Sequence, residues 1–323
     1  MDAERAHLTI GTRGSKLALW QAEYVKAAIE AVAGLPVELR VIKTTGDKIL
    51  DVPLAKVGGK GLFTKELEVA LLAGEVDLCV HSMKDVPTEL PKGLIIGAMP
   101  ERVDPRDVIV SGAGYTLDSL PRGARVGTSS LRRVAQLRAW RPDVEIVDVR
   151  GNLDTRMRKA ETGEVDAVVL AAAGITRMGW AERISHYIPS EQMVSAVGQG
   201  AIGIEIREDD ETMLEICGEL RDLDTTMCVV AERIVMQRLE GGCQVPIGAY
   251  ARMDDGKLVM DAMVGSVDGR QILRYALDGP GDDPVGLGNR MVYKLMELGA
   301  GEILAAVRQA AQADGGIDTL LGT

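Results

Sequence analysis

The segment Leu239 to Gly248, LEGGCQVPIG, sets a single cysteine on a turn almost free of side chains. Gly241 and Gly242 remove Cβ atoms just ahead of Cys243, so backbone with φ > 0 is cheap and a bulky group can come close, and Pro246 stiffens the exit. A thiol presented this way is open to covalent chemistry. The competing reading is a buried cysteine behind a helix C-cap, since Met227 to Leu239 reads as a helix and Gly241 suits the position just past its end. A second signal is charge. Between Arg122 and Lys159 basic residues outnumber acidic ones, with Arg125, Arg132, Arg133, Arg150 and Arg156 among them. An acidic protein that concentrates arginine in one region focuses its field onto a small anionic ligand. Arginine rather than lysine points to bidentate pairing with carboxylate or phosphate. Arg138, Arg141 and Arg158 are read as lying on solvated helix faces.

Five further segments lie at strand-to-helix junctions: Thr12-Arg13-Gly14-Ser15, His81-Ser82-Met83-Lys84-Asp85, Gly127-Thr128-Ser129-Ser130-Leu131-Arg132-Arg133, Arg150-Gly151-Asn152, and Ala172-Ala173-Gly174 leading to Arg177. Open α/β sheets bind ligands beyond the carboxyl ends of their strands, where helix N-termini offer free N–H groups to anions. Each segment also has a plain structural reading: Ser15 and Ser130 as N-caps, Asp85 as a turn residue or a partner of Lys84, Arg177 as a helix-surface residue.

The elements that must position these residues alternate. Leu8–Gly11 reads as a strand, and Ser15–Ala33 as a helix with Leu17, Trp20, Tyr24, Ala28 and Val32 on the stripe turned to the core. Leu39–Lys43 and Val76–Val80 read as strands and Thr64–Ala73 as a helix between them. Such alternation implies a parallel or mixed sheet under helical cover. Gly74-Glu75-Val76-Asp77 recurs as Gly163-Glu164-Val165-Asp166, each between a helix and an apolar strand, which suggests two similar α/β domains. Met99–Pro105 and Val197–Gly203 look like paired crossings: the chain leaves the first domain, builds the second and returns. From about Leu223 the pattern becomes a helix, then strands near Ile247–Arg252, Leu258–Val264 and Gln271–Ala276, with hairpin signals at Asp255-Gly256 and Asp268-Gly269. A helical stretch Met291–Ala311, breaking near Gly299–Gly301, closes this small α+β part.

At 323 residues the chain exceeds one ordinary core, so two or three domains are expected. Only 3% of residues are aromatic, so the core is built from aliphatic side chains and methionine. The formal net charge of −11 argues against nucleic acid or an anionic membrane as partner. The longest apolar run, near Ala167–Ile175, is too short to span a bilayer, and residues 1–14 hold no apolar core of signal-peptide length. The four cysteines show neither CxxC spacing nor disulfide density, as a reducing cytoplasm would have it. Three scattered histidines make zinc improbable, and no metal is expected. The GGKG at 58–61 lacks the GxxxxGK[ST] pattern of a P-loop, so nucleotide binding is not expected.

IGTRGSKLALWQA, HSMKDVPT, GTSSLRRVAQLR, RGNLDTRMRKAETGEVDAVVLAAAG, GQGAIGIE and LEGGCQVPIGAYA, in this order and spacing, closely resemble the porphobilinogen deaminases, or hydroxymethylbilane synthases. The resemblance covers roughly residues 8–252, and LEGGC with HSMKD and GTSSLRR makes it specific. Lys16 departs from it, standing where many relatives carry proline. The family implies a transferase of tetrapyrrole and haem biosynthesis. It joins four porphobilinogen molecules head to tail, with release of ammonia, into the linear tetrapyrrole hydroxymethylbilane. Growth is primed on a dipyrromethane cofactor held by a thioether, here to Cys243. The implied fold is α/β in three domains. The first two, 1–100 plus 199–220 and 104–195, resemble type II periplasmic binding proteins, with mixed sheets covered by helices on both faces and the cofactor in the cleft between them. The third, 223–323, is a small α+β domain with a three-stranded antiparallel sheet. A cytoplasmic monomer is expected, with porphobilinogen as its small-molecule partner.

Roles follow from the same resemblance. Loss of the amine leaves an electron-poor azafulvene, and both deamination and C–C bond formation put positive charge on a pyrrole nitrogen. A carboxylate beside that N–H stabilises the cation, and Asp85 is the candidate; such stabilisation contributes ~3–4 kcal/mol per removed group. Lys84 helps to keep Asp85 ionised. Lys84, Ser82, Asp85, Thr128, Ser130, Arg132, Arg133 and Gly200 are assigned to the cofactor with Cys243, and Arg13, Ser15, Arg150, Arg156 and Arg177 to substrate and elongating rings. The loop Lys56–Phe63 resembles a mobile cover. The arginine concentration fits a product that gains an acetate and a propionate with every ring.

Two rivals come from other classes. A non-catalytic two-domain receptor for a small polycarboxylate anion would use the arginines but would need neither Asp85 nor an exposed Cys243. A cysteine acyltransferase needs a general base by the thiol, and no histidine falls in the Cys243 segment, although His81 could approach through folding.

Overall fold

The structure, a computed structural model, describes residues 6–48, 61–239 and 245–312. The apolar run Leu8–Thr12 forms strand β1, and helix α1 (Lys16–Ala33) starts behind it, where Ser15 Oγ accepts the Ala18 N–H at 3.3 Å as an N-cap. Gly34, at φ 65°, ends the helix in the left-handed conformation that glycine takes at little cost. The stripe expected to face the core is the wrong one. Helix α1 buries Gln21, Ala22, Val25 and Ile29, while Trp20, Tyr24 and Val32 stay exposed, the first two stacked with ring centroids 5.6 Å apart. Narrow and branched side chains fit against a sheet where two wide rings do not.

The chain continues through β2 (Val37–Val41), the short α2 (Thr45–Lys48), α3 (Lys65–Leu72), β3 (Leu78–Ser82) and β4 (Leu94–Ala98). Strand β3 starts two residues later than expected, because Asp77 is spent on a turn: its carboxylate accepts the Thr9 N–H at 2.8 Å and its own N–H goes to Thr9 O at 2.9 Å. After the first crossing come β5 (Asp107–Val110), β6 (Arg125–Gly127), α4 (Leu131–Trp140), β7 (Glu145–Val147), α5 (Leu153–Glu161), β8 (Ala167–Ala171), α6 (Ala172–Arg177) and β9 (His186–Tyr187). The chain then crosses back into β10 (Ile202–Arg207), α7 (Glu211–Leu220) and α8 (Leu223–Arg238). It ends in β11 (Ile247–Asp254), β12 (Lys257–Gly265), β13 (Ile272–Pro280), α9 (Pro284–Glu297) and α10 (Ala300–Gln312). The closing helix thus breaks at Leu298 and at Gly299, whose φ is 99°.

Two five-stranded sheets share one plan. The first runs β2-β1-β3-β10-β4 and the second β7-β6-β8-β5-β9. In each, three neighbouring strands are parallel and the strand entered straight from a crossing, β10 or β5, is antiparallel to its neighbours. The third sheet, β11-β12-β13, is antiparallel throughout. Leu8, Ile10, Val25, Ile29, Val80 and Ile204 pack one face of the first sheet, and Leu67, Leu71 and Cys79 the other. The expected class, mixed α/β sheets with a small α+β part, is what the chain forms.

By compactness the chain divides into two units, with boundaries at Val103/Asp104, Gln199/Gly200 and Thr226/Met227. The first holds the first sheet; the second holds the other two. Within the second, Glu232 takes the Gly198 and Ala251 N–H groups at 2.7 and 2.8 Å, and Arg138 reaches Val267 O at 3.1 Å. Arg141 donates to the Leu117 and Leu120 carbonyls at 2.6 and 2.7 Å. Arg138 and Arg141 therefore tie segments together, contrary to the expectation of solvated faces, and only Arg158 is exposed.

Candidate active site

In the first unit the carboxyl ends of β1 and β3 open on a pocket lined by Arg13, Ser15, Gln21, Phe63, His81 and Asp85, among others. The geometry follows from local structure. Strand β3 ends at Ser82, and a single 3-10 turn, Met83–Asp85, swings the chain away; the Met83 N–H is held by Ala201 O at 3.0 Å. Met83 is buried, Lys84 is exposed and Asp85 lies half-buried at the pocket, with no hydrogen-bond or ion-pair partner among the described residues. Ser82 Oγ accepts from Gln21 Nε2 at 2.8 Å, which fixes β3 to α1.

Arg13 is aimed by two contacts. Its guanidinium pairs with Asp47 at 2.5 Å and lies over the ring of Phe63, the sole phenylalanine of the sequence, 4.1 Å from the centroid. Burial opposes charge on Asp47, but hydrogen bonds from Arg13 and Thr44 outweigh it and hold the carboxyl below its ordinary range. Behind the pocket, His81 Nε2 lies 2.9 Å from Glu205 Oε2, and both side chains are almost wholly buried.

In the second unit the arginines meet a residue that the motifs did not single out. Asp107, fully buried at the head of β5, takes Arg132 Nη1 at 2.6 Å on one oxygen and Arg133 Nη2 at 2.7 Å and Gln199 Nε2 at 3.0 Å on the other. Burial is the largest influence on Asp107 and opposes its charge, yet the two guanidinium groups overturn it and hold the carboxyl far below its ordinary range. Arg132 Nη1 also donates to Val194 O at 2.6 Å, and Arg133 Nη1 to Val169 O at 2.9 Å. Two buried cations against one carboxylate leave a net positive charge at the start of α4. Thr128 is buried beside them, and its Oγ1 accepts the Ser130 N–H at 3.2 Å. Arg150 pairs with Asp148 at 2.7 Å, Arg156 Nε donates to Gly151 O at 2.8 Å, and Arg177 is buried on α6. Gly200 is buried at φ 88° and belongs to the first unit.

The structure thus brings Arg13, Ser15, Ser82 and Asp85 to one pocket, and Thr128, Ser130, Arg132 and Arg133 to one strand-helix junction. Arg150, Arg156 and Arg177 stand apart on other elements of the second unit. Cys243, Gly241, Gly242 and residues 56–60 lie outside the described residues. Asp47 and Asp107 escaped the reading of the sequence, and Glu205, although it ends the GQGAIGIE segment, was given no role. Two of them had a signal: Asp107 and Glu205 are acidic residues set in apolar strand runs, DVIV and IGIEIR, where burial demands a partner.

Comparisons with known proteins bear on the whole chain. Residues 8–215 match the family model for the porphobilinogen deaminase dipyromethane cofactor binding domain, and residues 226–297 that for the porphobilinogen deaminase C-terminal domain. A porphobilinogen deaminase of Syntrophobacter fumaroxidans is 55% identical over 304 residues, 94% of this chain and 98% of that protein. One of Desulforudis audaxviator is 53% identical over 311 residues, 95% of this chain and 100% of that protein. Among solved structures, the methionine-binding protein MetQ is similar at 15% identity with a TM-score of 0.42, over 67% of this chain and 89% of that one.

Proposed function

The chain belongs to the porphobilinogen deaminase family, and on that premise we propose how its own residues carry the activity. It is a transferase that polymerises four porphobilinogen molecules, with release of ammonia, into hydroxymethylbilane on a dipyrromethane primer. Asp85 stabilises the positive charge that develops on pyrrole nitrogen. The observation that carries this assignment is a half-buried carboxylate left without a partner in a pocket otherwise lined by positioned polar groups. Arg13 and Ser15, in the same pocket, take the carboxylates of the incoming ring, with Arg13 oriented in advance by Asp47 and Phe63. Arg150, Arg156 and Arg177 take those of the growing chain.

The residues at the start of α4 suit the acidic cofactor. Arg132 and Arg133 carry one positive charge more than Asp107 neutralises, and an acetate or propionate is the group that such a buried surplus attracts. Thr128, Ser130, Ser82, Lys84 and Gly200 are assigned with them, and Cys243 provides the thioether. When bound, the cofactor supplies the primer to which pyrrole units are added. We also read the chain as a cytoplasmic monomer of three domains, 1–100 with 199–220, 104–195 and 223–323. Apolar clusters centred on the three sheets support that division, the third also taking in Leu131 and Val134 of α4. Among the described residues no helix is long and apolar enough to cross a membrane.

Intact mass under denaturing conditions tests the site. The wild-type chain should carry the mass of two pyrrole units and Cys243→Ala none, while Asp85→Asn should fold, keep the primer and lose about 10²–10³ in turnover. An unmodified wild-type chain with full activity removes Cys243 from the reading, and near-normal turnover by Asp85→Asn removes Asp85.

A further inference from the structure

The pocket that holds Asp85 has a second ionisable wall. His81 is the last inward residue of β3, it lines the pocket, and its ring is held at Nε2 by Glu205 at 2.9 Å. The opposite face of β3 carries Leu78 and Val80 into the core under α1, so Cys79 and His81 share the face covered by α3. On that face Glu205 comes from β10, directly opposite Cys79 in the ladder, and Glu68 comes from α3. Both acids are buried, and Glu205 Oε1 and Glu68 Oε1 have no hydrogen-bond partner. Two buried carboxylates around one imidazole are more acid than a purely structural contact needs.

We propose that His81, backed by Glu205, is the group that delivers a proton to the departing amine in the Asp85 pocket and recovers one when the rings join. This rests on the pocket being the place of reaction, as assigned above. In the first step the C–N bond of the aminomethyl group breaks. Its electron pair stays on nitrogen, which takes a proton from the imidazolium and leaves as ammonia, while the pyrrole nitrogen donates its lone pair and becomes cationic. In the second, the α-carbon of the acceptor ring forms the new C–C bond and gives up its proton to the neutral imidazole. One C–N bond is exchanged for one C–C bond, the α-proton ends on ammonia, and no oxidant or reductant takes part. Asp85 and His81 then divide the labour: the first answers the charge and the second moves the proton.

Imidazole can both give and take a proton, and a carboxylate on one nitrogen fixes the ring so that the other is left for the pocket. The charged groups on this face are Glu205 and, two residues on in β10, Arg207, with Glu68 from α3; Cys79 lies beside His81 on β3, and Asp85 and Arg13 line the same pocket. Neighbouring β1 and the buried face of α1 present Thr12 and Gln21 but no charge. Burial pushes the Glu68 carboxyl up, and Glu205 adds to the push.

The test is the pH dependence of kcat in holoenzyme whose primer has been checked by intact mass. His81→Gln should lose about 10² in kcat, the lower end for general acid-base catalysis, with KM within about threefold and the fall in rate toward high pH abolished. Glu205→Gln should keep that fall but lower kcat severalfold with KM unchanged, because the ring has lost the carboxylate that holds it. Asp85→Asn should be slow with the fall in its usual place. A His81→Gln profile with the wild-type shape, or a Glu205→Gln kcat equal to that of the wild type, overturns the proposal. Should His81→Gln yield no folded holoenzyme, the Glu205→Gln kcat decides alone. A slow Asp85→Asn beside an unaltered His81→Gln discards only His81, whereas a normal Asp85→Asn discards the pocket.

Discussion

The two five-stranded sheets are built to one plan, and each buries an acid on the strand entered from a crossing: Asp107 on β5 and Glu205 on β10. Their surroundings are opposite. Asp107 receives two guanidinium groups and an amide, so every lone-pair direction that matters is answered and the neighbourhood is left positive. Glu205 receives one imidazole, keeps one oxygen unanswered and has a second buried acid, Glu68, on the same face, so it has no guanidinium pair to match it. The same strand of the shared plan thus serves two purposes. In the second unit a buried carboxylate presets cations for an anionic ligand. In the first it sets an ionisable ring at the wall of the pocket.

Removing the acid from the first of these clusters should produce the largest effect. Asp107→Asn leaves two buried guanidinium groups facing a neutral amide, and breaking a buried pair by removing one partner costs about 3–5 kcal/mol. Chemical denaturation should show that loss; a change below about 1 kcal/mol would mean that Asp107 is not what holds the arginines. The pH dependence sharpens the point. The Asp107 carboxyl is depressed in the folded state, so the stability it adds is present above the unfolded carboxylate range, near 4, and is lost as pH falls toward its folded value. Acid unfolding of the wild type should steepen below about pH 4, and the steepening should be reduced in Asp107→Asn.

Glu68 should behave in the opposite sense. Its carboxyl is raised by burial, so its contribution is fully present below the unfolded value and is lost as pH rises through the folded one. Glu68→Gln should therefore raise the free energy of unfolding at pH 7 by on the order of 1 kcal/mol, and by much less near pH 4. Equal gains at both pH values would make the effect one of packing rather than charge. The smallest effect should come from Asp47→Asn. Its pair with Arg13 is partly exposed, so stability should change by less than about 1 kcal/mol, while KM for porphobilinogen rises severalfold as Arg13 loses its aim.

Local chemistry was legible in the sequence where one residue decides it. The Ser15 cap, the hairpin at Asp255-Gly256 with φ of 47° and 75°, and the break at Gly299 each follow from a single side chain or its lack. The face of α1 was misjudged because Trp20 and Tyr24 carry high hydrophobicity but too much width for the contact with the sheet. The partners of the charged residues were not legible at all. Glu205 lies 124 residues from His81, and Gln199 lies 92 from Asp107, so only the folded sheet order reveals the pairs. Asp85 and Arg13 were found through their motifs; Asp47, which aims Arg13, belongs to no recognised motif, and Phe63 was singled out only as the end of the loop 56–63, not as a partner of Arg13.

The position of β10 has a consequence for how the chain is made. It lies between β3 and β4, yet β4 ends at Ala98 and β10 begins at Ile202. On a ribosome adding about 5–20 residues per second, β3 and β4 wait roughly 5–20 s with facing edges unpaired while some hundred residues are synthesised. All five strands of the second sheet are complete within that interval, by Tyr187. The nascent chain therefore finishes its middle before its beginning. The half-built first sheet, with its ladder partner still unsynthesised, is the stage at which a chaperone has most to shield.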